Sequence, residues 1–459
     1  MTRRHFGRPS AGPAILLITA SCPEIRRVRR SRVLNFQQIT MPYLAAFVPG
    51  HWTVTHVDEA AGPVDVRASA DLVAITFHTP SAPHAYELAD EFRSRGITVA
   101  LGGPHATLMP DEAQRHADVV FVGEAESHWP CFLQGFEGGE YESRYTCLEP
   151  PSLDRAPISR QDLLHRRDHT SGVLFATRGC AFRCDFCTVA VMYQSRVRRR
   201  PVLDVVREFA SFRGRVVILW DDNIAADTEY AKELFRALAP QGKWWSSQAS
   251  VHAAHDEDFL RMAARSGCKQ LFLGLESISQ GSLDGVSKRF NRVDEYANAI
   301  DRIHAHGISV QAGIVFGFDG DTERVFSDTV DFLESSGVQN ATFNLLTPFP
   351  GTRLHQRLES EGRILTRDWR KYNGRADVVF RPRNMSAAAL LEGYRYANER
   401  FYSPRSIYRR LSRCPAQLSW ALPLNLAYAL SLRRDTALKR KKHSAADTSL
   451  LTSLPRSHI

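Results

Sequence analysis

The sequence predicts two successive α/β units closed by a helical end. Three observations carry this. Short, continuous apolar runs recur through residues 13–150 and again through 171–360. Stretches with helical spacing separate most of the runs, and loops rich in glycine and polar residues follow them. Continuous apolar runs suit central strands of parallel sheets covered on both faces.

In the first unit, Ala14 to Ile18, Leu72 to Phe77, Thr98 to Leu101 and Val119 to Val122 are the runs. Between the second and third lies a helix: Pro83 suits its first turn, Ala85, Leu88 and Phe92 repeat at helical spacing, and Gly96 closes it. This is the pattern of a doubly wound domain, which binds ligands at the carboxyl ends of its strands. Residues 151–170, rich in proline, arginine and aspartate, read as a linker. The second unit has strand-like runs at Val173–Ala176, Val216–Trp220, Trp244–Val251, Leu271–Leu275, Val310–Phe316 and Thr342–Leu346. Val202, Val205, Val206 and Phe209 after Pro201 mark one of its helices, and Phe326, Val330 and Leu333 before Gly337 another. Six strands with intervening helices fit a partial (β/α)6 barrel, with chemistry at the carboxyl ends of the strands. Residues 361–435 read as a helical extension, and 436–459 as a basic, disordered tail.

Composition is that of a soluble protein, 43% hydrophobic and 24% charged. No apolar core long enough for a signal peptide precedes the first strand. Of eight cysteines, three are clustered, while Cys22, Cys131, Cys147, Cys268 and Cys414 are scattered. This usage fits a reducing cytoplasm. The net charge of +9 is uneven: arginines gather at 26–32 and 196–200, and Lys439 to Lys442 follow in the tail. No nucleic-acid module accompanies them, so no nucleic-acid partner is expected. The run Trp420 to Leu432 is apolar but far shorter than a membrane span and contains Pro423 and Asn425. Its default reading is a helix packed on the barrel. Peripheral membrane contact, helped by Arg405, Arg409, Arg410 and Arg413, is the second reading.

The chemistry concentrates in Cys180, Cys184 and Cys187, spaced C-x-x-x-C-x-x-C. A 4Fe–4S cluster held by three cysteines keeps one iron without a protein ligand. A structural zinc would need a fourth ligand, and neither His165 nor His169 falls at a usual finger spacing. The segment resembles the cluster loop of the radical S-adenosylmethionine (SAM) enzymes, where an aromatic such as Phe186 precedes the last cysteine. The resemblance implies that the open iron chelates SAM. The reduced cluster then donates one electron, releasing methionine and a 5′-deoxyadenosyl radical.

Upstream, the loops Phe77–Ser81, Gly102–Thr107 and Gly123–Glu126 resemble the Rossmann-like cobalamin-binding domain of cobalamin-dependent radical SAM enzymes. The Gly-Gly-Pro-His and Gly-Glu-Ala-Glu loops carry this match. It implies cobalamin contacts at Thr79, Ser81, Gly102, Gly103, His105, Gly123 and Glu124. The Asp-x-His-x-x-Gly motif of a lower cobalt ligand is absent: Asp58 leads into Glu-Ala-Ala-Gly, and Asp111 into Glu-Ala. Base-off, histidine-off binding is therefore expected, with His105 the one nearby histidine that could contradict it. A flavodoxin-like domain without cofactor is the alternative.

The resemblance also places the ends of the TIM-like barrel strands. It implies SAM contacts at Phe186, at Asp221, Asp222 and Asn223, at Gln248, at Glu276 and Ser277, and at Gly317. The plainer use of these residues is capping and turn formation. Over residues 13–405 it implies a cobalamin-dependent radical SAM C-methyltransferase acting on a small molecule, tetrapyrrole or lipid. An external one-electron reductant of flavodoxin or ferredoxin type is expected. A cyclase or oxidoreductase without methyl transfer is the first alternative. A non-catalytic iron–sulfur carrier or sensor is the rival from another class; it would need a fourth ligand such as Cys268, which reads instead as part of a packed helical C-terminal turn, Ser266-Gly267-Cys268. No sequence feature assigns a catalytic residue for the substrate.

Overall fold

The computed structural model describes residues 12–23, 26, 38–164, 172–414 and 416–434. In the first unit β1 (Ala14–Thr19), β2 (Thr53–Asp58), β3 (Leu72–Thr76), β4 (Thr98–Gly102), β5 (Val119–Val122) and β6 (Arg144–Thr146) form one parallel sheet, ordered β2-β1-β3-β4-β5-β6. The four apolar runs supply its central strands. The edge strands β2 and β6 lack such a run, because an edge is covered on fewer sides: β2 alternates Thr-Val-Thr-His-Val-Asp and β6 is only Arg-Tyr-Thr. Helix α1 (Ala82–Ser94) buries Ala85, Leu88 and Phe92 and ends at Gly96, whose φ of 77° suits glycine. Strand order reverses between β1 and β3, which opens a crevice at their carboxyl ends.

The second sheet comprises β7 (Gly172–Leu174), β10 (Val216–Leu219), β11 (Trp244–Ala249), β12 (Cys268–Glu276), β13 (Ser309–Phe316) and β14 (Asn340–Leu345). It is parallel throughout, and its edges β7 and β14 do not pair, so the barrel is partial. A small antiparallel ladder, β8 (Thr177–Arg178) with β9 (Arg198–Arg199), lies between β7 and β10 and encloses helix α2 (Thr188–Met192). Helices α3 (Val202–Ser211) and α4 (Val325–Ser335) cover the outer face with Val205, Phe209, Val330 and Leu333.

Three expected boundaries move for local reasons. β7 stops at Leu174 because the Ala176 and Thr177 amides donate to the Asp221 carboxylate. β11 stops at Ala249, and Val251 opens a 3-10 turn. Cys268, expected in a helical C-terminal turn, is instead the first residue of β12 and is buried.

The linker's described part holds the two units together. Leu153 packs with Tyr43 and Phe175, and the Arg160 amide donates to Pro42 O at 2.9 Å. Residues 165–171, with His165 and His169, lie outside the described residues, as do Arg27, Arg29, Arg30, Arg32 and the tail from 435. The second arginine run is engaged internally: Arg198 pairs with Glu124, Arg199 with Asp227 and Arg200 with Glu208.

The extension forms α5 (Ala387–Phe401), α6 (Pro404–Arg413) and a helix α7 over residues 418–434. Arg410 of α6 is fully buried and stacks on Phe401, its guanidinium 3.6 Å from the ring centroid. It donates to the carbonyls of Val338, Gln339 and Phe401 and to Asn425 Oδ1. Asn425 in turn donates to Gln339 O at 2.9 Å. Thus one arginine ties α6 and α7 to the amino end of β14. α7 runs through Pro423 and lays Leu424 and Tyr428 across the open bottom of the barrel. Arg410→Ala strips hydrogen bonds from buried carbonyls, at about 1–3 kcal/mol for each group left unsatisfied. Amide exchange over residues 404–434 should rise sharply in this variant, with the exchange of β3 and β4 unchanged.

Candidate active site

The cysteine loop begins at the β8–β9 ladder. Gly179 has φ 88°, and a Cβ there would overlap the Arg196 carbonyl, so only glycine closes this turn. Two acids at the end of β10 hold the loop. Asp221, wholly buried, accepts from Ala176 N at 3.1 Å, from Thr177 N and from Thr177 Oγ1 at 2.6 Å. Burial pushes its carboxyl up to about 7 despite these bonds. Asp222 accepts from Gly179 N at 2.8 Å. Asn223 caps the following turn, accepts from Ser250 N, and brings Nδ2 to 3.9 Å from Cys180 Sγ.

The surroundings suit thiolates bound to metal. Burial pushes the Cys184 thiol up to about 12, opposed by the Lys288 ammonium. Cys187 is also raised by burial, opposed by the Ala190 and Val189 amides at the start of α2 and by Lys288. Lys288 is itself buried and bonded to Glu276 Oε1 at 3.1 Å. An unligated loop therefore keeps its protons, while ligated sulfurs gain a buried cation and helix amides. Among the described residues no three His, Cys, Asp or Glu side chains converge on one metal ion. The three thiolates of a cubane each hold a separate iron. Cys268 cannot close the cluster, because it begins β12, about 26 Å along the strand from Glu276 at the other end.

The strand-end residues divide. Gln248 faces the barrel interior beside Ser246, in a cavity of about 270 Å³ closed below by α7. Glu276 has φ 65° and is committed to Lys288. Asp221 is wholly buried, and its carboxylate accepts from the Ala176 and Thr177 amides and the Thr177 hydroxyl. Ser277 is buried and accepts from Ser279 N. Gly317, φ 111°, is pinned by Asp321 Oδ2, and a side chain on it would strike Leu390 and Phe380. Packing by the extension thus accounts for this glycine. Phe186 rests on Phe318, with the Lys288 ammonium 6.0 Å from its ring centroid.

A second cavity, of about 360 Å³, opens at the crevice of the first sheet. Gly102, Gly103, Gly123 and Glu124 line it, as the sequence leads one to expect. Gly103 has φ 91° and lies too close to Thr76 Oγ1 for any Cβ. Thr79, Ser81 and His105 do not line it. All three are buried behind the loop, where Pro104 starts a short helix and turns His105 inward. The His105 ring meets Thr79 Oγ1 at 3.1 Å and Glu112 Oε1 at 3.3 Å and packs edge-on to Trp369. Its imidazole is thus occupied within the protein. Glu112 also accepts from Trp369 Nε1, which fastens the extension to the first unit.

The cavity's other wall comes from the barrel: Arg178, Tyr193, Trp220 and Asp222. Arg178 pairs with Glu124 at 2.6 Å and with Glu126, and Arg198 pairs with Glu124 at 2.6 Å. The indole N–H of buried Trp129, also on the lining, has no hydrogen-bond partner among the described residues. Glycine backbones along one edge and a free donor fit a broad ring with amide arms, so these residues suit cobalamin. Trp220, 47% exposed, lines both this cavity and the barrel interior. Arg178, Tyr193 and Trp220 escape sequence reasoning, since each stands on the unit opposite the one that binds the ligand. Only Arg178, two residues before the first cysteine, had a positional signal.

A three-cysteine loop at the mouth of a parallel half-barrel, facing a glycine-edged crevice, defines a radical enzyme with a second, corrin-type cofactor. Comparison agrees. Residues 174–333 match the radical SAM superfamily, residues 25–130 the B12 binding domain, and residues 352–434 a domain of unknown function, DUF4070. The bacteriochlorophyllide d C-12(1)-methyltransferase of Chlorobaculum tepidum is 30% identical over 85% of this chain and 89% of that protein. The bacteriochlorophyllide d C-8(2)-methyltransferase of the same organism is 29% identical over 72% and 78%. The solved structure of the cobalamin-dependent SAM radical enzyme OxsB, with aqua-cobalamin and SAM bound, shares the fold. Its TM-score is 0.67 at 13% identity, covering 94% of this chain and 75% of that one. The chain belongs to the cobalamin-dependent radical SAM enzymes, and its cofactors are a 4Fe–4S cluster, SAM and cobalamin.

Alanine at Cys180, Cys184 or Cys187 should each abolish the iron–sulfur absorbance of the anaerobically reconstituted protein. Cys268→Ala should leave the absorbance intact. A cluster that survives Cys184→Ala with full SAM cleavage would contradict the ligand set.

Proposed function

We propose that this enzyme methylates an unactivated carbon of a planar, largely apolar small molecule, with tetrapyrroles the favoured class. One observation carries the reading: the crevice and the barrel interior meet at Trp220. A substrate lying on that indole borders the cobalamin cavity on one side and the interior on the other. When bound, the cluster and cobalamin supply one-electron chemistry on SAM and a transferable methyl group. The chain's own residues hold the parts in place. Asp222 and Asn223 fix the cysteine loop, and their remaining polar atoms, with Gln248, are assigned to SAM. Glu276 keeps Lys288 beside the sulfurs. Arg178 and Trp220 wall the crevice, and α7 shuts the bottom of the barrel against water. His105, held by Thr79 and Glu112, is turned away from the crevice, and His78 is the histidine on its lining. The names of the two bacteriochlorophyllide methyltransferases support the substrate class. An acidic one-electron donor of flavodoxin or ferredoxin type and a reducing cytoplasm complete the proposal.

The test incubates the reconstituted enzyme with trideuteromethyl-SAM, reductant and chlorophyllide-type tetrapyrroles. A product heavier by the labelled methyl supports C-methylation. A cyclised or desaturated product with no label would overturn it. Trp220→Ala should raise KM for the tetrapyrrole by about tenfold, the loss of one aromatic stacking contact. Trp220→Phe should restore most of it, and neither change should alter the cluster absorbance.

A further inference from the structure

α7 has two faces with opposite destinations. Ala421, Leu424 and Asn425 are buried toward the barrel. Leu418, Leu422, Leu426 and Leu430, every fourth residue, are 41%, 43%, 51% and 52% exposed. The stripe is about 18 Å long at the usual helical rise. Together with Ile407, Tyr408 and Leu411 of α6 it bounds an open apolar groove of about 500 Å³. Tyr408 is 75% exposed. Leucines that served only to seal the barrel would face inward.

Charge decides what covers this face. From Phe401 to Arg434 the sequence contains no Asp or Glu. Arg405, Arg409, Arg413, Arg433 and Arg434 are exposed around the stripe. Arg409 reaches Glu334 of α4 and Arg413 the Ser335 carbonyl, while the other three extend the basic border. A second copy docking by the same face would set arginines against arginines. The chain's own segment after residue 434 brings Lys439, Arg440, Lys441 and Lys442 and meets the same repulsion. An anionic lipid surface satisfies both features at once: acyl chains take the leucines and phosphates take the arginines. Among the described residues no helix is long and apolar enough to cross a membrane, so contact would lie in the interfacial plane.

We infer that the α6–α7 face docks this enzyme on anionic lipid bilayers. The inference stands independently of the substrate proposal.

The experiment is co-sedimentation of the full-length holoenzyme with vesicles of phosphatidylcholine alone or mixed with phosphatidylglycerol, in low and high salt. Binding is expected only with phosphatidylglycerol and should weaken with salt. Leu422→Gln combined with Leu426→Gln should lower partitioning by about a hundredfold. Circular dichroism and cluster absorbance should be unchanged, because these side chains face solvent. Arg433→Gln combined with Arg434→Gln should lower it by about tenfold or more. Failure of the wild-type protein to bind phosphatidylglycerol vesicles would overturn the inference. So would full binding by the double leucine variant, which would assign attachment to the basic tail. A dimer in sedimentation velocity that the leucine variant dissociates, without vesicle binding, would give the face to a second copy instead.

Discussion

The site depends on a buried ion network between its two halves. Glu124 and Glu126 leave the carboxyl edge of the first sheet, and Arg178 and Arg198 reach them from the ladder that closes the cysteine loop. Arg178 also lies over the rings of Phe175 and Tyr43, at 4.3 and 4.9 Å from their centroids. These charges are largely withdrawn from water, so removing either partner leaves the other uncompensated, typically a loss of about 3–5 kcal/mol. The same contact sets the distance between the cobalamin crevice and Cys180, two residues from Arg178. Alignment of the crevice with the cysteine loop is therefore built into the interdomain contact.

A second layer of charge works inside the barrel. Asp221 and Asp222 receive the backbone amides of the strand-to-loop turn, which fixes where the cysteines emerge. Glu276 holds Lys288, and Lys288 stabilises negative sulfur. The acids that the family resemblance assigns to SAM thus act in large part on the protein itself. A buried carboxylate that accepts several backbone hydrogen bonds orients a loop as firmly as packing does.

The extension completes an unfinished barrel. β7 and β14 leave a gap, and Arg410 and Asn425 seat α6 and α7 where they seal the interior from below. Trp369 reaches back to Glu112 and packs on His105, so the extension also braces the crevice. One element thereby touches the barrel interior, the cobalamin unit and the outer surface.

The order of α/β elements, the three cysteines and the glycine turns were legible in the sequence, because each is local: an apolar run, a ligand spacing, a backbone conformation only glycine tolerates. The central strands stood out by burial on both faces, whereas β2 and β6 did not, being edges with polar alternation. Tertiary structure decided the direction in which polar side chains point. His105 and Thr79 follow the correct motif yet turn inward, because the helix beginning at Pro104 carries His105 behind the sheet edge and the 3-10 turn Thr79–Ser81 after β3 buries Thr79 against it. Asp221 turns into the loop it supports, while Asp222, one residue on, faces the crevice. The walls formed by Trp220, Tyr193 and Arg178 required the second unit to fold against the first. A contact between distant segments has no local period to read, so the chain alone determined the chemistry available, and packing determined where it could act.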